Sequence, residues 1–586
     1  MNIIMLVRNE KAIWQGEIMP SNKVLNSTLL VGNNARGPIL HCQEGLSFWG
    51  GVDPDTGTII DVHHSKHGAS LSGKVVLMPT SRGSCSGSGV LLQLARNGNA
   101  PAALVFREKE NILTLGAIIS TQLFNSPLSV VRLEPTIYSA LANADEAKIL
   151  DNKLIFGSQK VVLLKPEIDS LTLSNKDLEM LGGYRGHAQK IAMETLCLMA
   201  AAQGADGLID VSRAHIDGCI LAHDANLDFA EKMSAIGAKT CIPTTINAIS
   251  VDRENWQKQG VEPDFGAKAS RLADAYVDMG VRPTFTCAPY FLKDLPETNE
   301  AIGWSESNAV IYANSILGAR TEKHPDYLDL FIAITGRAPN SGVYLADNRV
   351  PECEIKVNLP SSFDDAIWPM LGWLAGAKSP NKIPLITGLE AASPSPDELQ
   401  ALCAAFGVTS AAPMLHIRGH TPESHLMPLR CLKRYYITVE EMKKLWNEFN
   451  ASGTRIDLVA IGSPHASLAE CRRFAEFFAK KTCNYATQTI LTVGRNVFSD
   501  ASNEGILTHL MRAGVKVIPD LCWCSMTEPI FPKNAKVVMT NSGKYSHYGK
   551  GLTGRDIRFG SLKDCALASQ TGNVPSGVPK WLINQR

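Results

Sequence analysis

From about residue 160 to the C-terminus, short apolar runs alternate with amphipathic stretches, and this alternation constrains the fold more than any other feature. Residues 239–242, 384–387, 457–461, 489–493 and 515–519 read as short strands. Residues 467–480 and 502–512, between such runs, carry the helical period. Parallel neighbours need a crossover, and an intervening helix supplies it, so the pattern predicts α/β layers with mostly parallel sheets. Residues 173–181 read as a helix start and residues 184–202 as a long helix. No repeat of solenoid length is present.

The first 147 residues read differently. Residues 23–31, 37–42, 74–78 and 103–107 are β-branched or apolar and predict strands, with glycine-rich turn chemistry at residues 50–57. In residues 74–98 an apolar strand runs into the loop Thr80-Ser-Arg-Gly-Ser-Cys-Ser-Gly-Ser-Gly89 and then into a helical pattern. Such a unit aims backbone N–H groups at whatever sits above it. The chain thus divides into a small β-rich unit, residues 1–150, and a larger α/β unit, residues 160–586. The Pro/Gly-rich tail after Gly572 reads as loose.

Composition narrows the function. Lys+Arg and Asp+Glu each number 57 among 586 residues, which disfavours nucleic acid or an anionic membrane as partner. The start, MNIIMLVRNE, has no cationic segment before its short apolar run and reads as neither a secretory signal nor a membrane span, so a cytoplasmic chain is expected. The 14 cysteines are dispersed without a CxxC pair, so reduced thiols are expected, a few of them as metal ligands.

Four loops are candidates for chemistry. The Gly/Ser loop offers Arg82, Ser84, Ser86 and Ser88 to an anionic substrate, but it lacks the Gly-Lys-Ser/Thr of a phosphate-binding loop. Cys287 lies in Thr-Cys-Ala-Pro-Tyr, a stretch stiffened by proline. Cys522 and Cys524 both follow the strand at 515–519, where ligands gather in open α/β sheets, and spacing alone does not rank them. Asn541, Ser542, Lys544 and His547 form a polar cluster, followed by Cys565 near a helix start, where the helix dipole would lower a thiol pKa. His64 lies among three histidines before the Gly/Ser loop, and Thr245 and Asn247 lie in a polar turn.

Taken in order, Asp53-Pro-x-x-Gly, His64, the Arg-Gly-Ser loop, Pro-Thr-Thr-x-Asn, Thr-Cys-x-Pro-Tyr, Asn-Ser-x-x-Gly-Ala-Arg-Thr, Gly-x-Pro-His-x-Ser and Ser-Gly-Lys-Tyr-x-His-Tyr resemble the aconitase X family over nearly the whole chain. The resemblance implies an aconitase-like multi-layer α/β catalytic domain, a fused swivel domain and an iron–sulphur cluster at their interface. Ser463 stands where two-chain relatives carry cysteine. That and the fused swivel resemble the single-chain type, which dehydrates cis-3-hydroxy-L-proline to Δ1-pyrroline-2-carboxylate. The resemblance further implies a 2Fe–2S cluster on Cys287, Cys522 and Cys565, with Cys353 in reserve, and Ser84 as base, assisted by Lys544 and His547. Arg82, Ser86, Ser88, His64, Thr245, Asn247 and Ser542 are the expected substrate contacts. The partner expected is a small cyclic hydroxy amino acid, with no nucleic acid or membrane, and the chain is expected to be a monomer. The alternatives are a mevalonate 5-phosphate dehydratase, with Arg185, Arg213 and Arg320 for the phosphate, and a non-catalytic metal- or partner-binding relative.

Overall fold

The structure, a computed structural model, describes residues 27–426, 432–525, 528–574 and 577–583. The reading of the first ten residues, and of 23–26 as the start of a strand, lies outside the described residues. The N-terminal unit is built on an eight-stranded mixed sheet. At its centre, Ala35–His41, Val75–Met78, Ala103–Phe106 and Ser129–Arg132 run parallel. The strands Val75–Met78 and Ala103–Phe106 are buried along their whole length, because both faces are covered. Val76, Met78, Leu104 and Phe106 pack beneath the helices Gly87–Arg96 and Ile112–Phe124. Val75, Leu77 and Val105 pack on the other face with Tyr138 and Leu141. The sheet runs on through the antiparallel strands Glu146–Leu150, Lys153–Phe156 and Gln159–Val162, past the expected boundary at residue 150.

The larger unit has three parallel sheets as its main layers. Thr244–Ile246, Ala214–Ile216 and Gly303–Trp304 form the first. His416–Ile417, Pro384–Thr387, Cys353–Val357 and Lys433–Ile437 form the second. The third has five strands in the order Val515–Pro519, Gln488–Val493, Leu458–Ile461, Val537–Thr540 and Asp556–Phe559. The chain is therefore mixed α/β, as its alternation predicts.

Three local expectations differ. Residues 239–242 are not a strand; the strand begins after Pro243, at Thr244–Ile246. The helix expected over 502–512 is two, Arg495–Asn503 and Ile506–Arg512. They part at Gly505, whose φ of 76° suits a residue without Cβ. In the tail, Trp581 and Leu582 are buried in the core of the second sheet rather than loose.

The N-terminal unit meets the larger one through its Gly/Ser loop and the helix that follows. A Cβ at Gly89 would stand 2.8 Å from the Tyr327 hydroxyl, so glycine permits this approach. Cys85 and Asp326 meet in the same place, with the Asp326 N–H 3.4 Å from the Cys85 carbonyl oxygen.

Candidate active site

Three sets of strand ends converge. Asp217, Asn247 and Glu306 follow the carboxyl ends of the first sheet's strands Ala214–Ile216, Thr244–Ile246 and Gly303–Trp304. Ser463, Cys522 and Lys544 follow strands of the third sheet. Ser84 follows Val75–Met78 of the N-terminal sheet. Ligands of open α/β sheets gather at such ends, where helix N-termini and irregular backbone leave N–H groups free.

An ion pair lies at the centre. Lys544 Nζ stands 3.2 Å from Glu306 Oε1. Asn308 Nδ2 donates to Glu306 Oε1 at 2.6 Å and to the Cys287 carbonyl at 3.2 Å. Asn247 Nδ2 bridges two carboxylates, donating to Glu306 Oε2 at 3.0 Å and to Asp217 Oδ1. The two acids are driven apart. Burial pushes Glu306 up, but Lys544 and the hydrogen bonds of Asn308 and Asn247 outweigh it and hold the carboxyl at about 2. Burial, then the charges of Glu306 and Asp326, push Asp217 well above the carboxylate range. The environments of the two carboxyls thus favour the ionised form of Glu306 and the protonated form of Asp217. Burial pulls Lys544 down, but Glu306 and the nearby thiols push it well up, so it stays an ammonium.

Three thiols lie beside Lys544. Cys522 Sγ is 3.0 Å from Cys524 Sγ, and Cys522 also hydrogen-bonds to Cys287. Cys287 and Cys522 share a small buried cluster with Ala248, and Cys524 packs against it. The His465 N–H donates to Cys287 Sγ at 3.2 Å, and His465 Nε2 meets the Leu521 carbonyl at 2.8 Å. Burial holds His465 neutral, at about 4. Ser463 Oγ is buried beside Cys524 and has no oxygen or nitrogen partner among the described residues. A soft donor set of three converging thiols, an N–H to one sulphur and a cation alongside suits a thiolate-bound metal cluster.

This geometry can be set beside known proteins. Family models of the aconitase X swivel domain, first domain, second domain and third domain match residues 24–156, 170–347, 351–447 and 456–571. A cis-3-hydroxy-L-proline dehydratase of Hypocrea jecorina is 40% identical over 588 residues, covering 96% of this chain and 98% of that protein. The chain belongs to the aconitase X family. A cis-3-hydroxy-L-proline dehydratase of Pseudomonas aeruginosa is 41% identical, covering 94% of this chain and 97% of that one. The phosphomevalonate dehydratase large subunit of Methanocaldococcus jannaschii is 30% identical over 67% of this chain and 98% of its own length. The crystal structure of Thermococcus kodakaraensis aconitase X in its holo-form superposes with a TM-score of 0.62 at 29% identity, covering 68% of this chain and all of that one.

Within this aconitase X chain, Lys544, Asn247, Cys287 and Cys522 gather at the site. Ser84 and Ser86 reach it from the swivel loop: Ser84 Oγ is 3.3 Å from Ser86 Oγ, and Ser86 hydrogen-bonds to Asp326. The other expected residues make contacts of their own. Cys565 sits in the helix Leu562–Thr571, in the core with Val459, Phe474 and Leu491. Its thiol is pushed well up, not down, because burial and the charges of Asp564, Asp365 and Glu470 outweigh the helix end. Cys353 opens a strand of the second sheet, and burial pushes its thiol to about 11. Ser88 is fully buried in the swivel, where Oγ donates to the Ile112 carbonyl at 2.9 Å. Ser542 caps its helix, accepting from the Tyr545 N–H and donating to the Ser463 carbonyl at 2.6 Å. Thr245 hydrogen-bonds to His215 Nδ1 at 2.8 Å. His547 accepts from the Trp373 indole at 3.3 Å, so a tryptophan of the second domain takes up its Nδ1. His64 is buried in the swivel loop at residues 61–67 with Glu44, and Arg82 lies 3.8 Å from Asp61. The three arginines considered for a phosphate do not gather: Arg185 pairs with Glu179, Arg213 with Glu300 and Asp294, and Arg320 with Asn299.

The sequence reasoning left several site residues unassigned. Glu306 and Asn308 lie outside the quoted motifs, and His465 appears only as the histidine of Gly-x-Pro-His-x-Ser. Asp217, Lys323 and Asp326 belong to none of the quoted motifs, and Tyr548 ends the Ser-Gly-Lys-Tyr-x-His-Tyr stretch without a role of its own. Lys323 and Tyr548 both sense the charges of Lys544 and Cys85.

Proposed function

We propose that this chain is a hydro-lyase that removes water from cis-3-hydroxy-L-proline to give Δ1-pyrroline-2-carboxylate. An iron–sulphur cluster of the 2Fe–2S kind, held by Cys287, Cys522 and Cys524, is part of the proposal. The observation that carries it is the meeting of three thiols, the Lys544–Glu306 pair and the swivel serine Ser84 at the joined ends of three sheets. The two dehydratases that match almost end to end support the choice of substrate. Phosphate recognition asks for free cations, and the arginines considered for it are occupied elsewhere. No helix among the described residues is long and apolar enough to cross a membrane, and the proposal takes the protein to act as a cytoplasmic monomer.

Elimination needs a base at C2 of the ring and an acceptor for the hydroxide leaving C3. A cluster held by Cys287, Cys522 and Cys524 would supply a Lewis-acidic iron for that hydroxyl. Ser84 acts as its alkoxide, its own proton having passed to solvent, and becomes a hydroxyl again when it takes the C2 proton. Its neighbour Ser86 N–H points at Ser84 Oγ from 3.3 Å, and such N–H groups at a helix start stabilise the alkoxide that serves as base. Lys544 and Lys323 meet the substrate carboxylate, whose charge grows as C2 loses its proton. Glu306, ionised, faces the ring ammonium, and Asn247 fixes its orientation.

The test is to purify the protein anaerobically, count iron and sulphide per chain, and assay cis-3-hydroxy-L-proline and mevalonate 5-phosphate side by side. Two irons and two sulphides with turnover of the proline alone are the expected result. A metal-free active protein, or turnover of the phosphate alone, sinks the reading.

A further inference from the structure

A second cluster of metal-ligating groups lies where the swivel loop touches the larger unit. Cys85 Sγ, a carboxylate oxygen of Asp217 and one of Asp326 all lie within 4.8 Å of one another. Cys85 Sγ is 3.2 Å from Asp217 Oδ2, near the roughly 3.5 Å that separates S from O in a tetrahedral zinc site with Zn–S about 2.3 Å and Zn–O about 2.0 Å. All three residues are buried: Cys85 is 4% exposed, Asp217 8% and Asp326 3%. Two carboxyls and a thiol so placed, with few donors around them, are costly to bury. Asn247 serves Asp217 Oδ1, and Ser86 serves Asp326. Asp326 Oδ1 has no hydrogen-bond partner among the described residues. This orphaned, buried oxygen belongs to one of the three converging residues and marks a place for a positively charged ligand.

We infer that Cys85, Asp217 and Asp326 form a binding site for a divalent cation of the zinc class, pinning the swivel loop to the body of the enzyme. One thiol with two carboxylates is a borderline donor set, which selects zinc-like cations over calcium or magnesium. Binding displaces the Cys85 thiol proton, and the proton of any carboxyl still protonated, to solvent; no oxidant or reductant takes part. Asp217 joins this site to the catalytic one, because Asn247 links it to Glu306. The cation therefore fixes Ser84, the residue before Cys85, relative to Glu306 and Lys544. The site is separate from the three-thiol site and shares no residue with it.

The test uses the full-length protein with its iron and sulphide content measured and intact, because an empty three-thiol site would itself take zinc. Zinc(II) is titrated by equilibrium dialysis into the wild type, Cys85→Ser and Asp326→Asn. One zinc per chain in the wild type, weakened at least tenfold in both variants with iron and sulphide unchanged, is expected. Thermal unfolding gives a second reading that tolerates a partly unstable variant: zinc should raise the melting temperature of the wild type and of neither variant. No zinc bound by the wild type, or equal binding by all three proteins, overturns the inference. Loss of iron from the wild type would count against the cluster proposal, and this inference would then stand or fall on the zinc that Cys85→Ser and Asp326→Asn lose relative to the wild type.

Discussion

Two thiol-bearing clusters flank the Glu306–Lys544 pair. On one side Cys287, Cys522 and Cys524 offer three sulphurs, one of them receiving the His465 N–H. On the other Cys85 offers one sulphur between Asp217 and Asp326. The first set is soft and beside an ammonium, which suits an iron–sulphur cluster. The second is mixed and rich in carboxyl groups, which suits a lone divalent ion. The same fold thus builds two different donor environments by changing what stands next to the thiol. The contrast also separates chemistry from positioning: the three-thiol side carries the Lewis acid of the proposed reaction, and the Cys85 side holds the loop that carries its base.

The sharpest break in this comparison is Cys524→Ser. It removes one of the three sulphurs, so the purified protein should lose its brown colour, most of its iron and all measurable dehydration. Iron retained at the wild-type level would move the third ligand elsewhere. Next is Ser84→Ala, on the opposite side. Turnover should fall by about 10³-fold while iron, sulphide and visible absorbance stay at wild-type levels, as expected for loss of a general base alone. Measurable absorbance loss would mean that Ser84 supports the cluster rather than the proton transfer.

How much of this was legible in the sequence depends on what the local pattern encodes. The parallel layers were, because alternating strands and helices leave a period in the chain, as at Pro384–Thr387 and Val515–Pro519. The swivel loop was, because a strand running into Gly and Ser before a helix is a local signature. The third thiol was not. Cys524 and Cys565 look alike in sequence, and what separates them is the direction of a short turn after Pro519 against the buried face of the helix Leu562–Thr571. Asp217, Glu306 and Asp326 were also out of reach, since each is a single acid whose partners lie at the ends of other strands. Ser542 and Ser88 show the converse: a serine in a promising loop was used by the backbone, one as a helix cap and one as a tie to Ile112.

Between the two clusters, Glu306→Gln tests the link itself. The neutral amide keeps the shape but leaves Lys544 without its counter-charge, so kcat/KM should drop by about 10²-fold. Its effect on stability has a definite sign. The folded carboxyl sits at about 2, below the ordinary value of 4.5, so the wild type gains stability that is complete above pH 4.5 and is lost as pH falls toward 2. Urea unfolding from pH 6 down to pH 3 should show this share of the slope in the wild type and not in Glu306→Gln. An unchanged slope would place the ionised carboxylate elsewhere.

The smallest effect is expected from Cys565→Ala, and it completes the comparison by contrast with Cys524→Ser. Cys565 is a buried thiol surrounded by Leu562, Phe474, Val459 and Leu491, so its loss leaves a small cavity worth about 1–2 kcal/mol. Iron content, colour and kcat should stay within about twofold of the wild type, since stability and chemistry are separable where no ligand is touched. The measurements are denaturant unfolding and iron content on the same preparation. Two cysteines placed within one domain, Cys565 fully buried and Cys524 partly so, would then differ completely in function. A protein that loses its iron with Cys565 and keeps it with Cys524 would reverse the assignment, and with it the contrast between the sulphur-rich and the carboxyl-rich side of the site.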